Sequence, residues 1–262
     1  MFSISDAHKI TDPVLREQIE QHPRAQEILR AFLYPYDAPD YDFLFADGTV
    51  RQMVAGDIDR LTAGRTPVLA VGSNRAPVQL ARKFAPPHHH EEPVPVTFGW
   101  MTDQDIVYSA HMAGYGALPA TLASSPGTTV RVAVTWLTPT QLSHMHSTES
   151  VPDHYKYCQL DGTKITLDCG LKAGRVGSYQ SVAGYVFDHG DTFALVDIPA
   201  RNRRFVARSQ WEMLSQIAKR AGQAPHPTFV LKLIDDADLR RKLVGRYLKT
   251  DNPTPRRTSV PK

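Results

Sequence analysis

The sequence predicts a mixed α+β protein in which short strands and scattered helices share one core. Short apolar stretches rich in Val, Thr and Tyr recur between Thr66 and Val196 and are bounded by turn residues, which is typical of strands. Two helices with clear start signals, at Thr138 and Ser209, interrupt these strands. Strands and helices do not alternate regularly, so a doubly wound parallel sheet is not predicted.

Length and composition exclude several classes of protein. The chain has 262 residues, of which 42% are hydrophobic and 22% charged, so a disordered chain is excluded. The formal net charge is only +3 and no dense basic stripe is present, so we expect no nucleic acid partner. We find neither a signal-peptide pattern nor a stretch long enough to span a bilayer. These observations predict a cytoplasmic protein without a membrane partner.

Four segments are expected along the chain. Residues 1–62 are predicted to be an N-terminal helical extension, in which Asp12-Pro13 starts a helix and Asp47-Gly48 forms a hairpin turn. Residues 63–224 form the central domain. Residues 225–248 are predicted to be an appendage with a strand at Phe229–Leu233 followed by a charged helix. Residues 249–262 are a basic tail expected to be disordered.

Within the central domain, a helix is predicted over Pro77–Phe84. A capping box at Thr138 to Gln141 starts another, and a capping box at Ser209 to Glu212 starts a third that ends at Gly222. The predicted strands are Val68–Val71, Val96–Gly99, Ile106–Ser109, Leu118–Leu122, Val130–Leu137, Tyr155–Leu160, Ile165–Leu167, Ser181–Phe187 and Thr192–Val196.

The turn Gly72-Ser73-Asn74 is the first candidate site. It joins the apolar strand Val68–Val71 to a helix, and such a turn directs free backbone N–H groups and the helix dipole at one point. This arrangement suits a carboxylate or a phosphate. An ordinary strand-to-helix loop capped by Ser or Asn is the alternative, and the local pattern alone favours it. Ser73 is not expected to be a nucleophile, because the G-x-S-x-G pattern is absent.

Glu149 is the second candidate. On a helix from Pro139, Leu142, Met145 and His146 share its face, and the apolar pair indicates that this face is buried. Burial disfavours the charged form of a carboxylate and raises its pKa, which makes a general base effective near neutral pH. The alternative is that Glu149 lies beyond the helix end, in solvent.

Together the two sites resemble the γ-glutamylcyclotransferase-like family. Its Y-G-S-N-L turn is matched by Val71-Gly72-Ser73-Asn74-Arg75, and its acidic residue, followed shortly by an aromatic one, by Glu149 and Tyr155. Between them, Ala120 to Gly127 reads A-T-x-x-x-S-P-G, and the next strand reads V-x-V-A-V-T-W. The resemblance extends from Pro67 to about Gly222 and leaves out the N-terminal extension and the C-terminal segment.

The resemblance implies a small mixed β-barrel flanked by helices, with residues 63–224 as the catalytic domain. It implies that Val71, Gly72, Ser73, Asn74 and Arg75 bind the substrate's carboxylate and that Tyr155 lines the pocket. Glu149 would be general base and acid in releasing 5-oxoproline and an amine from a γ-glutamyl compound. Neither a metal nor a cofactor is required.

Two positions depart from the family's turn. The opening Tyr is replaced by Val71, and the final Leu by Arg75. The arginine side chain either adds a contact to an acidic substrate or points to solvent.

The histidines offer weaker candidates. His88, His89, His90, Glu91 and Glu92 form a polar loop whose adjacent histidines are poorly placed to converge on one metal ion, although the loop is placed to act as a lid. His146 either contacts Glu149 or packs in a half-buried position.

Three functions follow from these observations. The first is cyclotransfer on a γ-glutamyl compound, with a carboxylate-bearing small molecule as the partner. The second is hydrolysis of a small amide or carbamoyl compound by water in the same pocket, and the third is ligand binding without catalysis. A homodimer is compatible with each.

Overall fold

A computed structural model of the chain describes residues 2–84, 92–188 and 191–248. The predictions for His88 to Glu91 and for the tail 249–262 lie outside these residues. The described chain is a mixed α+β protein with one large mixed sheet flanked by helices, which confirms the predicted fold class. No helix among the described residues is long and apolar enough to cross a membrane.

The N-terminal part is built as its local signals predict. A 3₁₀ turn at Ile4–Lys9 precedes α1 (Pro13–Glu20), α2 (Ala25–Phe32), the hairpin β1 (Phe43–Ala46) and β2 (Thr49–Gln52), and α3 (Ala55–Thr62). The Asp12 side chain caps α1 by accepting hydrogen bonds from the amides of Val14 and Leu15. Asp47 and Gly48 both have positive φ angles, as the hairpin turn requires.

The sheet is organised around two long antiparallel strands. Its strands, besides β1 and β2, are β3 (Thr66–Ala70), β4 (Val94–Tyr108), β5 (Ala120–Leu137), β6 (Tyr155–Asp161), β7 (Ile165–Leu167), β8 (Arg175–Ser181), β9 (Phe187–Asp188), β10 (Asp191–Leu195), β11 (Ala200–Arg201) and β12 (Val206–Arg208). The main path of the sheet runs β12-β10-β4-β5-β3-β8-β6, and β1, β2, β7, β9 and β11 pair beside it.

The helices on this sheet are α4 (Pro77–Phe84), α5 (Pro139–Thr148), α6 (Gln210–Arg220), α7 (Pro227–Asp235) and α8 (Ala237–Leu243), followed by a π-helical turn at Val244–Leu248. Both predicted capping boxes are present, at Thr138 and Ser209. The carbonyl end of β3 leads into α4, and α5 follows β5, the antiparallel neighbour of β3. The starts of α4 and α5 therefore lie at opposite ends of two adjacent antiparallel strands, and the end of α5 returns to the turn before α4.

Four predictions of secondary structure were wrong. Phe229–Leu233 lies in helix α7, because His226 caps the start of this helix and Pro227 occupies its first position. The separate strands predicted at Val96–Gly99 and Ile106–Ser109 are parts of the single strand β4. Those predicted at Leu118–Leu122 and Val130–Leu137 are likewise parts of the single strand β5. The strand predicted at Ser181–Phe187 is mostly turn, and the actual strand, β8, precedes it.

The N-terminal extension packs into the core of the sheet. Ile28 and Leu29 of α2 are fully buried in the same apolar cluster as Leu69 of β3. Strand β1 pairs with β4 in antiparallel register, with Phe43 opposite Val96. This packing brings Tyr34, which follows α2, to the end of β3 where the candidate site lies.

Candidate active site

The turn after β3 presents free amides. Gly72 caps a 3₁₀ turn at Ser73–Arg75, in which the Arg75 amide donates to the Gly72 carbonyl oxygen at 3.5 Å and the Ala76 amide to that of Ser73 at 2.9 Å. Ser73 and Asn74 are the first residues of this turn, so no earlier turn supplies acceptors for their N–H groups. The local structure is therefore suited to bind an anion.

Glu149 is the residue at which α5 ends, and its carboxylate faces this turn. The Asn74 side-chain amide donates to Glu149 Oε1 at 2.8 Å, and Lys83 Nζ of α4 contacts the same oxygen. The side chains of Lys83 and Glu149 are only 6% and 14% exposed. Within the described chain no hydrogen-bond partner contacts Oε2, so this oxygen is available to a ligand.

The two predicted sites come together in one cavity of about 260 Å³. Six of the residues proposed from the sequence line it: Val71, Gly72, Ser73, Asn74, Glu149 and Tyr155. The cavity is smaller than the roughly 300 Å³ at which pockets for drug-sized ligands begin, so it suits a group about as large as one amino acid.

The structure places Arg75 outside this cavity. Its side chain is 8% exposed and lies over the ring of Phe98, with its guanidinium carbon 5.7 Å from the ring centre. Burial, and then the charge of Arg131, lower the pKa of Arg75 to about 10. The sequence predicted either a substrate contact or solvent exposure for Arg75. Both predictions are wrong, because the side chain is buried against the sheet.

Four tyrosines surround the Glu149 carboxylate. Tyr34, Tyr115, Tyr155 and Tyr179 all line the cavity. Burial first, and then the negative charge of Glu149, raise the pKa of Tyr155 and of Tyr179 above that of an exposed phenol. Burial likewise raises the pKa of Tyr34 and Tyr115. All four phenols are therefore neutral near pH 7 and serve as hydrogen-bonding groups.

Tyr34 contributes a hydroxyl group to the candidate anion site. Its oxygen accepts a hydrogen bond of 2.7 Å from the Ala120 amide, which leaves its own proton to donate elsewhere. The same oxygen would lie 2.1 Å from a Cβ atom built on Gly72. Val71 carries no hydroxyl group, so the tyrosine hydroxyl beside this turn comes from the N-terminal extension.

His111 forms another wall of the cavity. Its side chain is 7% exposed, and its Nδ1 lies 2.6 Å from Ser109 Oγ. The ring stacks on that of His154 with centroids 4.9 Å apart. Burial, and then the neighbouring His154, lower the pKa of His111 to about 4. The imidazole is therefore neutral near pH 7.

Among the described residues, no side-chain contact joins His146 to the Glu149 carboxylate. The Nδ1 atom of His146 lies 2.7 Å from the hydroxyl oxygen of Tyr179, which lines the cavity beside the carboxylate. Its ring also packs edge-on against Tyr157. Among the described residues, no group of three or more His, Cys, Asp or Glu side chains is arranged to hold a metal ion.

Sequence reasoning missed Tyr34, Lys83, His111, Tyr115 and Tyr179. Lys83 had a usable signal, because it is three positions after Leu80 on the buried face of α4 and thus places a cation on an apolar stripe. A buried cation requires a nearby anion, and Glu149 was the anion already expected to face inward. Tyr34 and His111 had no such local signal, since only tertiary packing brings them to the cavity.

Comparison with known proteins was made by sequence and by structure. No protein-family model and no curated protein matches the chain. A solved structure described as a gamma-glutamyl cyclotransferase is 14% identical with a TM-score of 0.37, covering 72% of this chain and 91% of that one. An uncharacterised Homo sapiens protein is 12% identical with a TM-score of 0.36, over 73% of this chain and 92% of that chain.

A protein from Arabidopsis thaliana is 13% identical with a TM-score of 0.35, covering 62% of this chain and 87% of its own. The first of the three structures carries the name of the family that the turn and the acidic residue resemble. At these identities, what the chain does has to follow from its own site.

Replacing Gly72 by Ala tests the close approach of Tyr34. The new Cβ would overlap the Tyr34 hydroxyl, so we expect Gly72→Ala to lower the free energy of unfolding by about 1–3 kcal/mol. In a Tyr34→Phe background the hydroxyl is gone and the nearest atoms are 3.2 and 3.3 Å away, so the cost should be clearly smaller. Chemical denaturation of the four proteins of the double-mutant cycle measures the difference.

Gly114→Ala is the matched control, because Gly114 lines the same cavity but a Cβ there would meet nothing within 4 Å. This variant should be nearly neutral. Equal costs for Gly72→Ala in both backgrounds would contradict the predicted contact.

His111 should make stability depend on pH. A folded-state pKa of about 4, against 6.5 for the ordinary histidine, means that the folded protein binds the proton less readily than the unfolded chain. The contribution of His111 to the free energy of unfolding is complete above about pH 6.5. It falls by as much as about 3 kcal/mol as the pH drops towards 4. Denaturation at a series of pH values should show this loss in the wild type and a shallower one in His111→Asn. Parallel curves would show that His111 is not held neutral.

Proposed function

We propose that the protein is a γ-glutamylcyclotransferase-like enzyme that converts a γ-glutamyl compound into 5-oxoproline and a free amine. The observation that carries this proposal is the direct hydrogen bond from Asn74, in the anion-binding turn, to the Glu149 carboxylate. One small cavity thus combines a site for a carboxylate with an acid–base group, and both are needed to bind and cyclise a γ-glutamyl group.

Binding begins at the turn. The amides of Ser73 and Asn74 receive the substrate's α-carboxylate, and Gly72 lets it approach the backbone closely. The substrate's α-ammonium group then lies towards Glu149, whose Oε2 is free to contact it. Four neutral phenols supply hydrogen bonds around the rest of the glutamyl chain without adding a competing charge.

The chemical step is an intramolecular acyl transfer. Glu149 takes one proton from the α-ammonium group, and the resulting amine attacks the γ-carbonyl carbon of the same molecule. After the attack, the ring nitrogen still carries two protons. Glu149 returns the first proton to the leaving nitrogen as the C–N bond breaks. It then takes the second proton from the ring nitrogen and passes it to the leaving amine, so that the products are the neutral lactam and an ammonium ion. No water is consumed. The enzyme's main contribution is to hold the amine against the carbonyl, which replaces a bimolecular encounter.

Lys83 positions Glu149 for this role. Its ammonium group contacts the carboxylate and compensates the buried negative charge. Lys83 and Asn74 both engage Oε1, so they orient the carboxylate and leave Oε2 for the substrate. Lys83 in turn is held by a 3.1 Å contact from its Nζ to the Met145 sulfur.

The Tyr34 hydroxyl is suited to donate a hydrogen bond to the oxyanion of the tetrahedral intermediate. Its oxygen is already occupied as an acceptor by the Ala120 amide, so it acts towards the cavity as a donor. A fixed neutral donor is what the developing oxyanion of an acyl transfer requires. The tyrosine that the family carries at the position of Val71 therefore has a replacement from another segment.

Glu149→Gln tests the proposal. Mass spectrometry on γ-glutamyl amino acids, glutathione and γ-glutamylamines should detect 5-oxoproline with the wild type. The variant should lose about 10²-fold or more of the rate, because an amide cannot accept the proton. If no member of the panel gives 5-oxoproline with the wild type, cyclotransfer is wrong.

The variant needs a control, since Glu149→Gln also leaves the buried Lys83 cation unpaired and should lower stability. The double variant Lys83→Met, Glu149→Gln removes both charges. We expect it to regain thermal stability relative to Glu149→Gln and to remain inactive. Recovery of activity together with stability would mean that Glu149 has a structural role only.

A further inference from the structure

A second, larger cavity adjoins the candidate active site. It has a volume of about 750 Å³, against about 260 Å³ for the first. We call it the outer chamber; its lining includes His111, Met112, His154, Arg240, Arg241 and Val244. One side comes from α8 and the π-helical turn after it, which belong to the segment that the family resemblance does not cover.

The outer chamber has a common border with the cavity that contains Glu149, which we call the catalytic cavity. His111, Gly114 and His154 line both. His111 is buried at this border, whereas His154 stacked upon it is exposed. Because an exposed side chain lines both spaces, the two cavities meet at the protein surface, and a ligand can extend from one into the other across the histidine pair.

The size of the catalytic cavity makes such an extension necessary. A space of about 260 Å³ suits the glutamyl group alone. The leaving group on the other side of the scissile amide must then lie outside it. His111 and His154 line both cavities, so the leaving group passes from one into the other beside this histidine pair.

The lining of the outer chamber indicates what it accepts. Met112 and Val244 provide an apolar surface, and Arg240 and Arg241 add two cations. Arg240 is fixed, since its Nη1 donates to the carbonyl oxygen of Ile234 at 2.9 Å. Arg241 is exposed and pairs with Asp238. No Asp or Glu is among the described residues that line the chamber, so its charge favours an anionic group.

We propose that the outer chamber is the leaving-group subsite, and that it selects γ-glutamyl compounds whose amine is bulky, largely apolar and ends in a carboxylate. This inference rests on the proposed function and adds to it the class of substrate. The catalytic cavity recognises the glutamyl group that all such compounds share. The chamber built by the C-terminal segment distinguishes among their amines.

Three substrates separate size from charge. The amine of γ-glutamylmethylamide is too small to reach the chamber. The amine of γ-glutamylphenethylamide fills the chamber but has no carboxylate. The amine of γ-glutamylphenylalanine has the same phenethyl group and adds a carboxylate. We expect kcat/KM to rise along this series. Arg241→Gln should lower the ratio of kcat/KM for γ-glutamylphenylalanine to kcat/KM for γ-glutamylphenethylamide about threefold or more, because the lost contact is an exposed ionic one.

Ala183→Trp and Ala237→Trp fill the chamber from opposite sides at exposed positions, where the larger side chain is tolerated. We expect each to lower kcat/KM for γ-glutamylphenylalanine about tenfold or more and to change it less than about twofold for γ-glutamylmethylamide. Ala224→Trp, at an exposed alanine that does not line the chamber, is the matched control and should leave both values unchanged.

The outcomes distinguish a failure of the proposed function from a failure of the leaving-group subsite. If the wild type releases 5-oxoproline from none of the three substrates, the proposed function is wrong and this inference falls with it. If it turns over all three but the tryptophan variants affect them equally or not at all, cyclotransfer stands and the outer chamber is not the leaving-group subsite. An Arg241→Gln variant with an unchanged ratio overturns the selection for a carboxylate.

Discussion

The buried ion pair between Lys83 and Glu149 is the contact on which the site depends. It joins the last turn of α4 to the end of α5, and the turn Ser73–Arg75 immediately precedes α4. Burying two charges costs free energy unless geometry and further bonds compensate. Here the Asn74 amide and the Met145 sulfur provide those contacts, so the pair fixes the position of the carboxylate relative to the turn.

Around this pair the cavity is polar but carries little further charge. Its tyrosines are neutral because burial, together with the nearby carboxylate, opposes loss of their protons, and His111 is neutral because burial opposes gain of one. Lys83 and Glu149 offset each other, which leaves the backbone amides of the turn as the groups that attract an anion. Tyr34 shows that the N-terminal extension takes part in this arrangement, since its hydroxyl group closes the space beside Gly72.

Patterns within about ten residues predicted much of this molecule. Helix α4, both capping boxes, the hairpin turn at Asp47-Gly48 and the strand-to-turn motif at Gly72 are specified by neighbouring residues. Helical spacing could place the Glu149 side chain on the inward face, as one of two alternatives. By contrast, Tyr34 and His111 reach the cavity through pairings of distant segments, which periodicity does not reveal. Arg75 was misplaced because spacing along a turn does not determine which side of the sheet a long side chain enters. Phe229–Leu233 was misassigned because a short apolar run fits either a buried strand or a buried helix.

In the proposed reaction the amine of the substrate, and not water, attacks the carbonyl held beside Glu149. The most direct test is to run the reaction with γ-glutamylphenylalanine in ¹⁸O-labelled water and to identify the acyl product by mass spectrometry. Cyclisation predicts 5-oxoproline without the label, because no water enters the bond that forms. Glutamate carrying ¹⁸O in its γ-carboxylate would contradict the account and show that the same cavity catalyses hydrolysis.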